Sequence, residues 1–343
     1  MKERTEEEIR AKWKGHEPPL VSVVCIAYNH ESYINDAING FIVQETDFPF
    51  EIIIHDDAST DGTTEIIKEY AERFPNLIKP VLQRENQYSK GKNPFPIAAS
   101  YARGEYIALC EGDDYWTDPN KIQIQVEEMR KHPQCNMSYH PALATYMDGS
   151  KPDKVIKKRN KGNKIFTTSE IIVGGGFCPT ASMVMRRNVI DILPEWYCTK
   201  VLAGDLYLEI LGSLNAGLLY IDRVMSVRRE NVPGSWCSKR RAESNDDYLR
   251  RIELHEECYQ QLNRSAAEKY TREVNQRIGF FNYILAKRLL KNRDYSNFRK
   301  FIEKSWKLSP YLSFKQTLLY FCRKTRLLLP MSMMANAKKD RYV

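Results

Sequence analysis

Apolar positions in the N-terminal half of the chain alternate between two periods. Residues 20–27 (Leu, Val, Ser, Val, Val, Cys, Ile, Ala) are a nearly unbroken β-branched run. Such a run predicts a strand buried on both faces, the habit of parallel sheets. Ile34, Ala37, Ile38, Phe41 and Ile42 then recur at helical spacing. Residues 50–55 read as a second buried strand, running into Asp56 and Asp57 and the polar turn up to Gly62. A helix follows through Ile66, Ile67, Tyr70 and Phe74, with Thr63, Thr64 and Glu65 suited to its first turn. Residues 79–83 are a weaker third strand, a polar loop spans 85–93, and a helix is expected around 97–102. Residues 104–109 form a fourth strand. Strands alternating with helices make βαβ units and a mostly parallel sheet with right-handed crossovers.

The pattern loosens further on. Asp118 and Pro119 lead into a helix carrying Ile122, Val126 and Met129, and residues 152–164 read as a basic, polar, mobile loop. Gly174, Gly175 and Gly176 predict a segment that must approach something closely. A strand over 182–185, a helix opening at Gly204 and Asp205, and short strands over 218–221 and 224–227 precede a polar, basic loop, 228–236. From about residue 240 helical periodicity and dense aromatics take over. The expected organisation is therefore a charged leader (1–19), an α/β domain (20–239) with a nucleotide-binding half (20–117) and an acceptor half (118–239), and a helical, basic C-terminal region (240–343). Residues 314–334 interleave Leu, Tyr, Phe and Met with Lys315, Arg323, Lys324 and Arg326. A basic amphipathic helix of this kind can lie on an anionic membrane surface, or pack on the core with its charges solvated.

Composition narrows the function classes. The 343 residues, 42% hydrophobic, are enough for one large core with a smaller appendage. A net charge of +8 suits anionic partners such as nucleotide phosphates. The eight cysteines include no C-x-x-C pair and no Cys/His cluster of zinc spacing. Residues 1–14 lack the apolar core of a signal peptide, and no run of about eighteen apolar residues suggests a membrane span, so a cytoplasmic protein is expected. Neither G-K-[ST] nor G-x-G-x-x-G occurs, which disfavours P-loop and dinucleotide enzymes.

The chemistry-bearing residues sit where two of the strands end. One runs into Asp56 and Asp57, the other into Glu111, Gly112, Asp113 and Asp114, with Tyr115 and Trp116 just beyond. Both ends fall on the carboxyl edge of a parallel sheet, where open α/β folds bind ligands. Carboxylates this close repel one another unless a cation sits among them. A polar turn after a core strand is the competing reading of either cluster alone.

Taken together, Val21 to Asn29, Ile53 to Gly62, and Gly104 to Leu109 with Glu111, Gly112, Asp113 and Asp114 resemble the family 2 inverting glycosyltransferases of GT-A fold. The likeness covers about residues 20–236. It implies a nucleotide-sugar donor, bound by Ala27, Tyr28, Asn29, Asp56, Asp57, Lys90, Glu111, Gly112, Asp113 and Arg228. Tyr28 would pack on the nucleotide, Asp57 would accept from the base, and Lys90 would meet the diphosphate. Asp113, Glu111 and Asp114 would bind Mn²⁺ or Mg²⁺, although the family usually has Asp where Glu111 stands. Asp205 would be the base, an N-cap being its alternative, and Arg228 and Arg229 would lie in a loop closing over the diphosphate, where Glu230 replaces the usual His. Thr180 and Trp116 would touch the acceptor, a glycan or lipid-linked glycan. A sugar-phosphate nucleotidyltransferase, a non-catalytic nucleotide-sugar-binding protein and a basic nucleic-acid binder are the rivals; the last is disfavoured because acids cluster where nucleic acid would approach.

Overall fold

The computed structural model describes residues 4–15, 18–201, 204–235, 238, 240 and 243–325. The chain divides into two units, Met1–Ile171 with Gly176–Ser238, and Ile172–Gly175 with Lys239–Val343.

The first unit is α/β. Its strands are β1 (Val21–Ala27), β2 (Phe50–Asp56), β3 (Ile78–Leu82), β4 (Tyr106–Glu111), β5 (Tyr115–Trp116), β6 (Met137–Tyr139), β7 (Ala142–Tyr146), β8 (Lys154–Ile156), β9 (Lys164–Phe166), β10 (Val184–Arg186), β11 (Leu218–Tyr220) and β12 (Ser226–Glu230). Eight of them form one sheet in the order β3-β2-β1-β4-β10-β6-β11-β9, and β5-β12-β7-β8 form a second. β1 is parallel to β2 and to β4, and β2 to β3. The parallel block is therefore the one expected from the unbroken apolar runs, with β1 at its centre. Its helices are α1 (Glu6–Arg10), α2 (Ile34–Ile42), α3 (Thr63–Arg73), α4 (Pro94–Ala99), α5 (Lys121–Lys131), α6 (Thr168–Gly174), which runs into the second unit, α7 (Arg187–Asp191), α8 (Glu195–Thr199) and α9 (Gly204–Ser213). The apolar stripe of α2 is buried at all five positions read from the sequence.

Several elements differ from expectation. The helix expected at 97–102 lies at Pro94–Ala99, because the Asn93 side chain accepts the Phe95 N–H and Pro94 sets the first turn. The charged leader contains α1, fixed by a capping box between Thr5 and Glu8; it buries Ile9, and Trp13 beyond it meets Phe50 edge-on at 5.6 Å. The loop expected at 152–164 includes β8, antiparallel to β7. Arg228, Arg229 and Glu230 are strand rather than loop, since β12 lies parallel to β7 and antiparallel to β5.

The second unit is helical: α10 (Asn245–Ser265), α11 (Thr271–Lys291), α12 (Tyr295–Leu308) and α13 (Phe314–Cys322). Tyr259, Phe281, Leu285, Phe298 and Ile302 are among its buried side chains. The helix expected over 314–334 is described as far as Cys322; residues 326–334 lie outside the described residues. No described helix is long and apolar enough to cross a membrane.

Candidate active site

The ends of β2, β1 and β4 stand side by side, Ala27 paired with Asp56 and Ile26 with Glu111. Because β1 intervenes, the two acid-bearing ends lie two strand spacings, about 10 Å, apart. Tyr28 follows β1 and is exposed; Asn29 takes a positive φ of 55° and its side chain accepts the Thr60 N–H at 2.8 Å.

The acids after β2 mostly organise protein. One Asp56 oxygen accepts from the Ser59 N–H at 3.1 Å and from the Ser59 hydroxyl, and the other accepts from the Thr64 hydroxyl. The buried Asp57 carboxylate accepts the Gln87 N–H at 2.8 Å and the Tyr88 N–H at 3.1 Å. It therefore fixes the short turn Tyr88–Lys90 beside the sheet edge. Lys90, expected at a diphosphate, pairs with Glu85.

The acids after β4 face inward on a different network. The Gly112 N–H donates to the Ile26 carbonyl at 2.9 Å, and a Cβ on Gly112 would fall 2.8 Å from His30 Nδ1 and 2.9 Å from Ile34. Glycine lets this turn approach β1 without displacing the His30 and Ile34 side chains. His30 has a buried Nδ1 without a hydrogen-bond partner, and its pKa is lowered, by burial first, although Asp113, Asp61 and Asp56 all pull it upward. His30 thus stands between the two acid groups. Glu111 is open to solvent yet surrounded by protein, as at the floor of a concavity. That surrounding, then Asp113 and Asp205, push its pKa up to about 8, while Arg228 and a hydrogen bond from Thr180 oppose the rise. Four residues that the sequence scatters over more than a hundred positions therefore converge on one carboxylate.

Asp114, expected beside the cation, is buried, accepts the Arg229 N–H at 2.9 Å, and has its pKa raised by burial and then by Asp113 and Glu111. Its side chain braces β12 instead of facing the opening. Trp116, expected at the acceptor, is 3% exposed; its indole N–H donates to the Ala181 carbonyl at 2.8 Å and its ring packs against Phe41 at 4.8 Å. It belongs to the core. Asp205 is exposed in the first turn of α9, where one oxygen accepts the Leu206 N–H.

Two buried titratable groups near Asp205 went unread in the sequence. Glu209, one turn after Asp205 and fully buried, accepts the Phe177 and Cys178 N–H groups at 2.7 and 3.0 Å; burial pushes its pKa up to about 7. A lone acid in the apolar run Leu206–Leu211 was the available signal. Lys157 donates to the Gly176 carbonyl, and burial pushes its pKa down to about 8. Nothing local in the sequence marks it.

Among the described residues no three His, Cys, Asp or Glu side chains are grouped to hold an ion by themselves. Glu111 and Asp113 nevertheless offer the carboxylate oxygens that hard divalent cations prefer, and their repulsion is what a cation would relieve. A cation held there fits if a diphosphate completes its shell.

The fold, with acids at the carboxyl ends of its parallel strands, is of GT-A type. The profile of glycosyl transferase family 2 matches residues 22–193, half of the chain, and the chain belongs to that family. An uncharacterized protein of Mycobacterium bovis is 38% identical over 219 residues, 64% of this chain and 61% of its own length. The putative teichuronic acid biosynthesis glycosyltransferase TuaG of Bacillus subtilis is 34% identical over 145 residues, 42% of this chain and 53% of its own length. The chain thus spans between half and two thirds of these relatives. The crystal structure of S. aureus TarS 1-349 in complex with UDP-GlcNAc superposes with a TM-score of 0.63 at 18% identity, covering 92% of this chain and 90% of that one. That likeness establishes the shared fold.

Proposed function

We propose that this chain is a metal-dependent, inverting glycosyltransferase that moves a sugar from a nucleoside diphosphate sugar, with uridine as the nucleoside, to a hydroxyl of a glycan or lipid-linked glycan in cell-surface polysaccharide assembly. The observation that carries the reading is the convergence of Asp113, Asp205, Arg228 and Thr180 on Glu111. It supports one concavity in which a leaving diphosphate and an attacking hydroxyl meet.

Tyr28 offers its exposed ring to the base, and Asp57 holds the turn carrying Tyr88 and Lys90 next to it. Glu111 and Asp113 would hold Mn²⁺ or Mg²⁺, which when bound supplies charge to offset that developing on the diphosphate. Arg228 adds a fixed cation on the same side, and Lys90 would exchange Glu85 for phosphate oxygens. Asp205 takes the proton of the acceptor hydroxyl as its oxygen bonds to the anomeric carbon. The bond from that carbon to the phosphate oxygen breaks on the opposite face, its electron pair leaving with the diphosphate, and the anomeric configuration inverts. Thr180, hydrogen-bonded to Glu111, would touch the acceptor.

The test is a screen of nucleotide sugars for thermal stabilisation with and without Mn²⁺, since a ligand selective for the native state raises its melting temperature. A UDP-sugar that stabilises only with the ion, and is consumed when acceptor is added, supports the reading. Stabilisation that ignores the ion, or is lost equally with any nucleotide, overturns it.

A further inference from the structure

The final described helix, α13, has two unlike faces. Gln316 and Leu319 are buried, and Gln316 donates to the Ser305 hydroxyl and the Ser309 carbonyl, both at 2.9 Å. On the other side Phe314, Leu318 and Phe321, spaced i, i+4 and i+7, are 82%, 40% and 62% exposed, and Tyr311 just before the helix is 73% exposed. Single exposed apolar residues are ordinary; an aligned row of large ones marks a docking face.

The charge around this row is one-sided. Between Glu303 and Asp340 the sequence has eight Lys or Arg and no acid. The whole chain has 52 Lys and Arg against 44 Asp and Glu, so this short stretch accounts for the entire excess of eight. Lys304 and Arg323 are answered from outside it, by Glu256 at 2.6 Å and Glu303 at 2.8 Å, whereas Lys307, Lys315 and Lys324 are exposed. The sequence beyond the helix keeps the same character, with Leu327, Leu328, Leu329, Met331, Met333 and Met334 followed by Lys338 and Lys339.

We propose that this face docks on an anionic lipid bilayer, Phe314, Leu318 and Phe321 entering the headgroup–acyl boundary while the flanking Lys and Arg meet lipid phosphates. Protein–protein interface cores are depleted in lysine. Aromatic and aliphatic residues beside Lys and Arg are the pairing an anionic interface selects. The inference goes beyond the proposed reaction and does not depend on it, since its readout is vesicle binding and not transfer.

The experiment is co-sedimentation of the full chain with phosphatidylcholine vesicles, and with vesicles enriched in phosphatidylglycerol. Binding is expected only to the anionic vesicles and should collapse at about 0.5 M salt, where charges are screened within a few ångströms. The triple variant Phe314→Ser, Leu318→Ser, Phe321→Ser should lower the partition coefficient about tenfold or more through lost apolar burial. Lys315→Glu with Lys324→Glu should lower it by a similar factor at low salt. All five positions are exposed, Phe321 also meeting Trp306 edge-on at 5.5 Å, so melting curves should change little. Equal binding to both vesicle types, binding to neither, or serine variants that bind like the parent would overturn the proposal. So would a dimer in light scattering that the serine variant dissolves, because the face would then be covered by a second copy.

Discussion

Arg229 donates from its guanidinium to the main-chain carbonyl of Asp113 at 2.9 Å, across a sequence separation of 116 residues. Its own N–H is accepted by the Asp114 carboxylate at 2.9 Å, it pairs with Asp36, and its guanidinium lies over the rings of Tyr33 and Tyr115 at 5.3 and 4.5 Å. One side chain on β12 thus fixes the turn that aims Asp113. Arg229→Lys keeps the charge but loses the planar fork that serves Asp113 and Asp36 together. The expected result is a Mn²⁺ requirement for transfer raised about 10- to 100-fold, the range for residues that orient metal ligands. Titrating the ion at saturating donor measures it. An unchanged requirement would show that the turn holds itself.

Asp205→Asn isolates the base. The amide is nearly isosteric and can still accept the Leu206 N–H, so α9 should start normally. Transfer should fall about 10²- to 10⁴-fold while the donor-induced melting shift stays at the parent value. Loss of both together would assign Asp205 to the helix terminus and not to the chemistry.

The parts of this molecule readable from sequence are those with strong local periods. Residues 20–27 and 50–55 are buried on both faces, and the stripe from Ile34 to Ile42 is as regular as a helix allows, so these elements emerge nearly to the residue. The acids at their ends follow directly. β12 reads short in the sequence, as 224–227, because Arg228, Arg229 and Glu230 are polar residues held in the strand by its neighbour β7. Trp116 was misplaced because adjacency to acids does not say which way a side chain points; in a strand Tyr115 and Trp116 must face opposite ways, and Trp116 faces the core. Asp56 and Asp57 look like ligand groups until the loops they hold are known. The contact of Thr180 with Glu111 is tertiary and left no local trace.

Gly104 shows a constraint of close approach. A Cβ there would lie 2.5 Å from the Ser22 nitrogen and 2.7 Å from the Val21 carbonyl carbon, both backbone atoms of β1 that cannot swing aside. The Gly104 N–H also donates to the Ser22 hydroxyl at 2.8 Å, and that hydroxyl donates to Glu51 at 2.7 Å. Gly104→Ala must push β4 away from β1 at the end opposite the site. It should cost about 1–3 kcal/mol, as overpacking generally does, read as a lower urea midpoint. An unchanged midpoint would mean that the entry to β4 is more compliant than this packing implies.

Glu209 gives the pH dependence a sign. Burial raises its pKa from the ordinary carboxylate value to about 7, so the folded chain keeps a proton that the unfolded chain releases. Stability from this group is fully present below pH about 4.5 and declines as pH rises towards 7. Lys157 works in the other direction and higher up, because its pKa is lowered to about 8 and its cost grows as pH falls from the ordinary lysine range towards that value. Between pH 5 and 7 Glu111 adds a slope of the same sign, its pKa being raised to about 8, and the buried histidines, whose pKa values are lowered, add one of opposite sign, so the share of Glu209 is the difference between the parent and a variant without that carboxylate. Glu209→Gln keeps an oxygen to accept the Phe177 and Cys178 N–H groups while removing the titration. From pH 5 to pH 7 the parent should lose stability relative to the variant, read from urea midpoints, by at most about 3 kcal/mol, and the variant should be the more stable of the two at pH 7. Parallel slopes would place the Glu209 pKa back in the ordinary range. They would also mean that water reaches the carboxylate one turn after Asp205.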